Sequence, residues 1–395
     1  MLKVKYPTQE CPNYEDLYYE VFFKKDSTEK DSTEKDSTEK DSTEKTSTIQ
    51  DEWKSLRQNN SALQDFPEDL SKILLAKYEQ LVEFYKDYAE STNSLSDEEV
   101  KNLNKELEKV FNYDKWYDEI AQYFMDPTHG FDFSTCHYCD MAYVNAYKID
   151  AEKDALLFLN TASKKELTNK LDLCDKSIEK IYNHPPFESP NEFDEFVVSL
   201  GCKPNKFDRT FNPTQNMRRH FDIEHVLPKS ICPLVGLSLY NFVPSCQVCN
   251  SKLKKTRVLG KYGIPELKLS PTSDKYDFDD MVKFKLVPGK ECKLSAYPTK
   301  DRDNYRLDLD TSLDPDYDYN VQLFKLRERY DYHKMEALHW LEMKYQYSDS
   351  RIEMLASIFD DPLFEFHHIK EAIFQSSLDK SHHRVFGKMK KDILG

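Results

Sequence analysis

The pattern of apolar and polar positions predicts helices over two long stretches of the chain. From Trp53 to about Met125, apolar residues recur at three- and four-residue steps, which places them on one face of a helix. A similar pattern extends from Asn320 to about Ile358. A serine followed three residues later by a glutamate forms a capping box, and two such pairs predict helix starts at Ser96 and Ser163. We therefore expect a mainly helical protein.

The centre of the chain has a different pattern. Residues 221–227 alternate apolar and polar side chains, which predicts a short strand that ends at Pro228. Residues 239–243 predict a second short strand, and the basic stretch from Asn250 favours a helix. Residues 283–287 predict a further strand. The fold class expected is α+β, with a small central strand–loop–strand–helix core between helical regions.

Composition divides the chain into five regions. Asp-Ser-Thr-Glu-Lys occurs four times in residues 26–45, and a segment without apolar side chains cannot build a core. The repeat is expected to be a flexible tether, a partly helical spacer or a dispensable insert. The regions are an N-terminal segment (1–25), the low-complexity repeat (26–50), a helical region (51–130), a central domain (131–270) with a helical insertion (150–215), and a C-terminal mainly helical region (271–395).

Several function classes are disfavoured by composition. The chain has no run of eighteen apolar residues, so no membrane-spanning helix is expected. It contains neither a GxxxxGK[ST] loop nor a GxGxxG motif, so ATP binding by either motif is not expected. Aromatic residues are abundant and glycines few, which favours a helical, tightly packed protein over a β-barrel. We expect a cytoplasmic location, because no secretory signal is seen.

Four of the nine cysteines occur as two CxxC pairs, Cys136/Cys139 and Cys246/Cys249. Two such pairs are typical of one tetrahedral, structural Zn²⁺ site. Four unrelated thiols are the plainer alternative, but two identical spacings rarely coincide by accident. A disulfide framework is disfavoured by the odd number of cysteines and the missing signal segment. The remaining five are scattered and are expected to be ordinary reduced thiols.

The charge distribution bears on nucleic-acid binding. The chain has a formal net charge of −15, which opposes binding to a polyanion. Residues 211–262, however, hold eight basic and two acidic side chains, a local formal charge of +6. The basic window contains the second CxxC pair and the central strands. This local basicity is what phosphate contact needs, and the acidic remainder favours a partner that presents the nucleic acid.

Glu224, His225 and Asn241 lie between the two CxxC pairs, and Asn250 directly follows the second pair. In this order they resemble the motif of the HNH endonuclease family. Glu224 and His225 match the acidic residue and catalytic histidine of its first strand, Asn241 matches the middle asparagine, and Asn250 matches the last motif position. The zinc-bound, double-CxxC subgroup is the closer match. The start of the match, Cys136-His-Tyr-Cys-Asp, is similar to that of bacterial HNH proteins, some of which are encoded beside ATPases in defence loci. The match runs from Cys136 to about Arg257 and is dense from Asp222 to Lys255.

The resemblance implies a ββα-metal core and a defined chemistry. His225 would act as general base on a water, and Mg²⁺ or Mn²⁺ would be held by Glu224 and Asn250. Asn241 would brace the loop that orients His225, and Asp222 is either a supporting residue of the site or a surface carboxylate. The implied partners are nucleic acid, with DNA favoured, and an ATPase subunit, in a bacterial defence or mobile-element setting. Two departures stand out: Glu224 replaces the commoner Asp, and about 80 residues separate Cys139 from Asp222.

Two other functions compete with a metal-dependent HNH endonuclease. The first is a zinc-stapled nucleic-acid-binding or protein-interaction module without catalysis, for which zinc matters and Mg²⁺ does not. The second is a secreted HNH toxin, which is disfavoured because no translocation segment is seen. Convergence of His225 and Asn250 on one open site would favour the nuclease.

Overall fold

The computed structural model describes most of the chain as two compact units. The described residues are 1–23, 48–144, 146–148, 150–211, 217–219, 221–290, 298–358, 365–374 and 384–394. The repeat at 26–45, expected to be a tether or spacer, lies outside them. One unit comprises Met1–Asn145 and His220–Gly395, and the other comprises Ala146–Arg219. Across the described residues, no helix has both the length and the apolar character needed to cross a membrane.

The expectation of a mainly helical protein with small sheets is confirmed. The described strands form three separate antiparallel pairs. In the first unit, the helices before the central strands are α1 (Tyr14–Glu20), α2 (Ile49–Asn59), α3 (Ser71–Leu74), α4 (Tyr78–Thr92), α5 (Asp97–Val110) and α6 (Tyr113–Met125).

The first-unit helices begin and pack as their residue patterns require. The capping box predicted at Ser96 is present, with Ser96 and Glu99 each accepting a hydrogen bond from the other's backbone N–H. Along α4 the buried side chains recur on one helical face. Trp53 of α2 is fully buried and donates its indole N–H to the Pro67 carbonyl oxygen at 2.9 Å.

The centre of the first unit is a short antiparallel hairpin that leads into a helical segment. Strand β3 (Asp222–His225) pairs with β4 (Phe242–Ser245), so that Glu224 lies opposite Val243 and His225 opposite Phe242. A seven-residue π-helical segment, Val248–Lys254, follows β4. The first strand lies within the predicted residues 221–227 but ends at His225, before Pro228. The second begins three residues later than expected, because residues 239–241 form a 3₁₀ turn in which Asn241 bonds the loop backbone.

After the central hairpin, the first unit continues with a second antiparallel hairpin and several helices. The elements are α12 (Phe278–Met281), β5 (Lys283–Pro288), β6 (Tyr305–Asp310), α13 (Asp318–Leu323), α14 (Leu326–Tyr332), α15 (Lys334–Gln346), α16 (Asp349–Ala356), α17 (Phe366–Phe374) and α18 (Gly387–Leu394). The predicted strand at residues 283–287 is therefore present as β5. Helix α14 matters for the site, because its residues contact the cysteine turns.

The second unit is a helical insertion with its own apolar core. It consists of β1 (Ala146–Lys148), α7 (Ala151–Thr161), α8 (Lys164–Leu171), α9 (Asp175–Tyr182), α10 (Pro190–Ser199), α11 (Lys206–Phe211) and β2 (Met217–Arg219). The predicted capping box at Ser163 opens α8. The last two helices of the insertion, α10 and α11, follow a stretch that begins with Pro185 and Pro186. Ser189 caps α10 with Pro190 in its first turn, and the buried Phe193 and Val197 hold it in the core.

Candidate functional site

The two CxxC turns come together in the first unit. The sulfurs of Cys136, Cys139, Cys246 and Cys249 all lie within 4.8 Å of one another. The Sγ atoms of Cys139 and Cys246 are 3.9 Å apart. Four sulfurs placed tetrahedrally at about 2.3 Å from one Zn²⁺ would be about 3.8 Å apart, so the thiols fit such an ion. This cluster could hold a metal such as zinc.

Contacts from other elements support the cysteine turns. The first turn is closed by the Asp140 N–H, which donates to the Cys136 carbonyl oxygen at 2.7 Å. From α14, Arg329 donates through Nη1 to the Cys249 sulfur at 3.4 Å, and the Tyr330 hydroxyl donates to the Cys139 carbonyl oxygen at 2.6 Å. A guanidinium beside a sulfur favours a thiolate, which is the form that binds metal.

A cavity of about 400 Å³ adjoins β3 and the π-helical segment. Its lining includes Asp222, Glu224, His225 and Asn250, together with Lys255. Further lining comes from the start of α6 and from the residues after β3. These candidate residues come from two different elements, the strand β3 and the helical segment after β4. They nevertheless line one cavity. Asn241 does not line it and has a different place in the structure.

His225 is held in a defined tautomer. Its Nε2 lies 2.9 Å from the Gly236 carbonyl oxygen, and a carbonyl can only accept, so Nε2 carries the hydrogen. In the neutral ring Nδ1 is then the basic nitrogen. Burial lowers the pKa of His225 to about 3, so the imidazole is neutral at physiological pH. The ring also packs edge-on against Tyr113 and Phe242, with centroids 4.5 and 5.0 Å away.

Asn241 fastens the loop between β3 and β4. Its Oδ1 accepts a hydrogen bond from the Leu227 N–H at 2.7 Å. Its Nδ2 donates to the carbonyl oxygens of Leu227 and Val235, both at 3.0 Å. The side chain is fully buried, so none of these bonds can be exchanged for water. These are contacts of the kind expected of a loop brace, and the braced loop contains Gly236, the hydrogen-bond acceptor of His225.

Glu224 lies in a buried ion pair. Its Oε1 accepts from the Lys254 ammonium at 2.6 Å, and the same ammonium donates to the His225 carbonyl oxygen at 2.8 Å. Burial raises the pKa of Glu224 and lowers that of Lys254, because desolvation disfavours both charges. Lys254 is one of the eight basic residues in the 211–262 window, but its side chain is fully buried. It therefore presents no charge at the surface.

Asp222 and Asn250 form the second polar contact of the cavity. Asn250 donates through Nδ2 to Asp222 Oδ2 at 3.0 Å. Asp222 and Glu224 are two residues apart on β3, so their side chains lie on the same face of the strand. Asp222, for which a surface position was an open alternative, is partly buried in the site. Three residues with oxygen ligands thus line the same cavity.

The sequence assigned no site role to Tyr113, Gly236 or Lys254. The contact from Tyr113 brings α6 to the site, and a residue about 110 positions upstream in the chain has no local signal. Lys254, by contrast, follows Asn250 by four residues. Residues four apart share a helical face, so the same spacing that points Asn250 toward β3 also points Lys254 there.

Comparisons with protein-family models, with curated proteins and with solved structures find no match to this chain. The function of the site therefore has to be inferred from the residues that form it.

Proposed function

We propose that this chain is a metal-dependent endonuclease of the HNH class that hydrolyses phosphodiester bonds in nucleic acid. One observation carries the proposal: Asp222, Glu224, His225 and Asn250 line a single cavity. A histidine base beside several oxygen ligands is the set of groups that hydrolysis of a phosphodiester needs. The β3–β4 hairpin and the segment Val248–Lys254 would form the ββα-metal core, with the four cysteines binding structural zinc.

In this proposal His225 deprotonates the attacking water. Because Nε2 donates to Gly236, the lone pair on Nδ1 accepts the proton while the water oxygen attacks phosphorus. The neutral ring is ready for this at physiological pH. A bound phosphodiester would raise the pKa of His225, because its negative charge favours the imidazolium that forms. Asn241 acts as a positioning residue through the loop that contains Gly236.

The oxygen ligands of the cavity suit a hard divalent cation, either Mg²⁺ or Mn²⁺. Asn250 uses its amide nitrogen to bind Asp222, so its amide oxygen is not used in that bond. Lys254 takes one oxygen of Glu224, which leaves the other oxygen and the Asp222 carboxylate as ligands. A cation bound by Asp222, Glu224 and Asn250 would neutralise charge on the phosphate and the leaving oxygen.

DNA is the favoured substrate, and a partner subunit is part of the proposal. The exposed cations Lys252 and Arg257, which follow the cavity-lining Asn250, can contact a phosphate backbone. The chain as a whole is acidic, with a net charge of −15, so its own grip on DNA should be weak. We propose that an ATPase subunit presents the DNA, in a cytoplasmic bacterial defence system. Full regulated cleavage by the isolated monomer at physiological salt would contradict the need for a partner.

The test of the proposed reaction is cleavage of plasmid DNA with and without added Mg²⁺ or Mn²⁺. We expect His225→Ala and His225→Gln to lose about 10²–10⁴-fold in rate, the usual contribution of a general base. His225→Gln retains an N–H donor for the Gly236 carbonyl and guards against a folding defect. His339→Ala, at an exposed position of α15, serves as the matched control.

Zinc content and melting temperature are measured on the same samples. Undiminished cleavage by folded His225 variants would refute the proposed base. Nucleic-acid binding that depends on zinc, without cleavage in either divalent metal, would instead identify a zinc-stapled binding module.

A further inference from the structure

Lys255 has an unusual backbone conformation next to the candidate site. It follows the π-helical segment with φ 55° and ψ −128°, a combination that L-residues rarely adopt and that glycine adopts readily. The Lys255 N–H donates to the Asn250 carbonyl oxygen at 2.8 Å, which fixes the turn. The residue with this unusual backbone therefore lies directly after the segment that contains Asn250.

The contacts of the Lys255 side chain do not account for a lysine at this strained position. It is exposed, and no hydrogen bond or ion pair to it is found within the described part of the chain. Glycine would fit this backbone with less strain. A residue in a strained conformation whose exposed side chain lines a cavity points to a role in binding.

The other lysines at the cavity already have partners. Lys254 is buried against Glu224. Lys229 forms an ion pair with Asp114 at 3.1 Å and lies over the Tyr113 ring. Among the cavity-lining residues that the structure describes, Lys255 is thus the cation with no recorded carboxylate partner. Its charge is available to a ligand that enters the cavity.

We propose that Lys255 forms a phosphate-binding subsite for the nucleic-acid strand, at the mouth of the cavity that holds His225. This inference rests on the proposed nuclease function and adds a substrate contact to it. Its ammonium would bind a backbone phosphate next to the scissile one, where a contact positions the strand without reading its bases. In this proposal the strained turn places the Lys255 side chain at the cavity, and the binding role is the reason that the strain is retained.

The test uses substitutions that separate the charge from the backbone strain. Lys255→Gly removes both, Lys255→Ala removes the charge only, and Lys255→Arg keeps the charge. Lys325→Gly is a matched control, because Lys325 is also an exposed lysine with positive φ, at 53°, and does not line the cavity. Binding of a fluorescent DNA oligonucleotide is measured across salt concentrations in a His225→Gln background, so that the probe is not cut, and melting temperature is measured alongside.

We expect Lys255→Gly and Lys255→Ala to bind DNA roughly three- to tenfold more weakly, and to lower the slope of log affinity against log salt by about one. Lys255→Arg should restore binding, and Lys325→Gly should bind normally. Lys255→Gly should melt roughly 1–3 °C above Lys255→Ala, because only glycine relieves the backbone.

Three results would overturn the subsite. The first is unchanged affinity and salt slope in both Lys255 variants while the parent cleaves DNA, which leaves the nuclease proposal intact. The second is an equal melting temperature of the Lys255→Gly and Lys255→Ala variants, which would show that the Lys255 backbone is not strained and so remove the observation from which the subsite is inferred. The third is a parent protein that neither binds nor cleaves DNA at low salt with Mg²⁺ or Mn²⁺ present, where even weak phosphate contacts are detectable, and this result removes both proposals together.

Discussion

Replacing Lys254 by methionine should be among the most damaging single changes at the site. Methionine keeps most of the aliphatic stem but removes the ammonium that contacts Glu224 Oε1 at 2.6 Å and the His225 carbonyl oxygen at 2.8 Å. The Glu224 side chain is only 6% exposed, so water can replace the lost partner only in small part. Breaking a buried ion pair in this way typically costs about 3–5 kcal/mol.

The matched variant is the double replacement Glu224→Gln with Lys254→Met. It removes both charges, so no carboxylate is left buried without a partner. Because a buried pair often contributes little over a neutral pair of similar size, we expect the double variant to recover most of the loss, to within about 1–2 kcal/mol of the parent. If Glu224 supplies an oxygen to the catalytic cation, the double variant should be folded but defective in cleavage.

The coupling free energy between Glu224 and Lys254 is measured by urea unfolding of the parent, both single variants and the double variant. The pH dependence of unfolding then tests whether the unpaired carboxylate of Glu224 causes the loss. Burial raises the pKa of Glu224, and removal of Lys254 should raise it further. A raised carboxyl pKa means that the folded state takes up the proton first. The loss in free energy of unfolding caused by Lys254→Met should therefore become smaller as pH falls from about 8 to about 5. A loss below about 1 kcal/mol, or additive losses in the double variant, would refute the reasoning.

Two further predictions concern zinc and pH. Cys246→Ser should lose zinc and lower the melting temperature, since structural zinc supplies folding free energy, whereas Cys174→Ser, an exposed thiol in the second unit, should do neither. Metal analysis of purified protein that finds no zinc in the parent would contradict this. The lowered pKa of His225, about 3 against 6.5 when unfolded, means that only the unfolded chain gains this proton between those values. Stability should fall by up to about 1.4 kcal/mol per pH unit below pH 6.5, and His225→Gln should flatten that slope relative to the parent.

The parts of the molecule that local patterns define were predictable from the sequence. The capping boxes at Ser96 and Ser163 begin α5 and α8, because this motif is satisfied within four residues. The clustering of four cysteines followed from their paired spacing, since one metal site is the common use of two CxxC turns. The β3 strand followed from its alternation.

Features set by tertiary contacts were not predictable in the same way. The 3₁₀ turn at Asn241 replaces part of the expected strand because the buried amide bonds three backbone groups. Lys254 belongs to the basic window in which phosphate contact is expected, but its position four residues after Asn250 buries it against Glu224. The packing of Tyr113 on His225 links residues more than a hundred apart, for which periodicity carries no information.

The paired ends of the second unit bear on how its length could vary during evolution. Ala146 lies opposite Arg219 in the β1–β2 ladder, so the chain enters and leaves the insertion at neighbouring points. Cys139 and Cys246 are 107 positions apart in the chain, and 74 of the residues between them belong to this unit. Loop-closure entropy grows only logarithmically, at about 0.6 kcal/mol per doubling of length. Descendants of the gene could therefore enlarge, shrink or exchange the insertion while bringing the two cysteine turns together at nearly the same entropic cost.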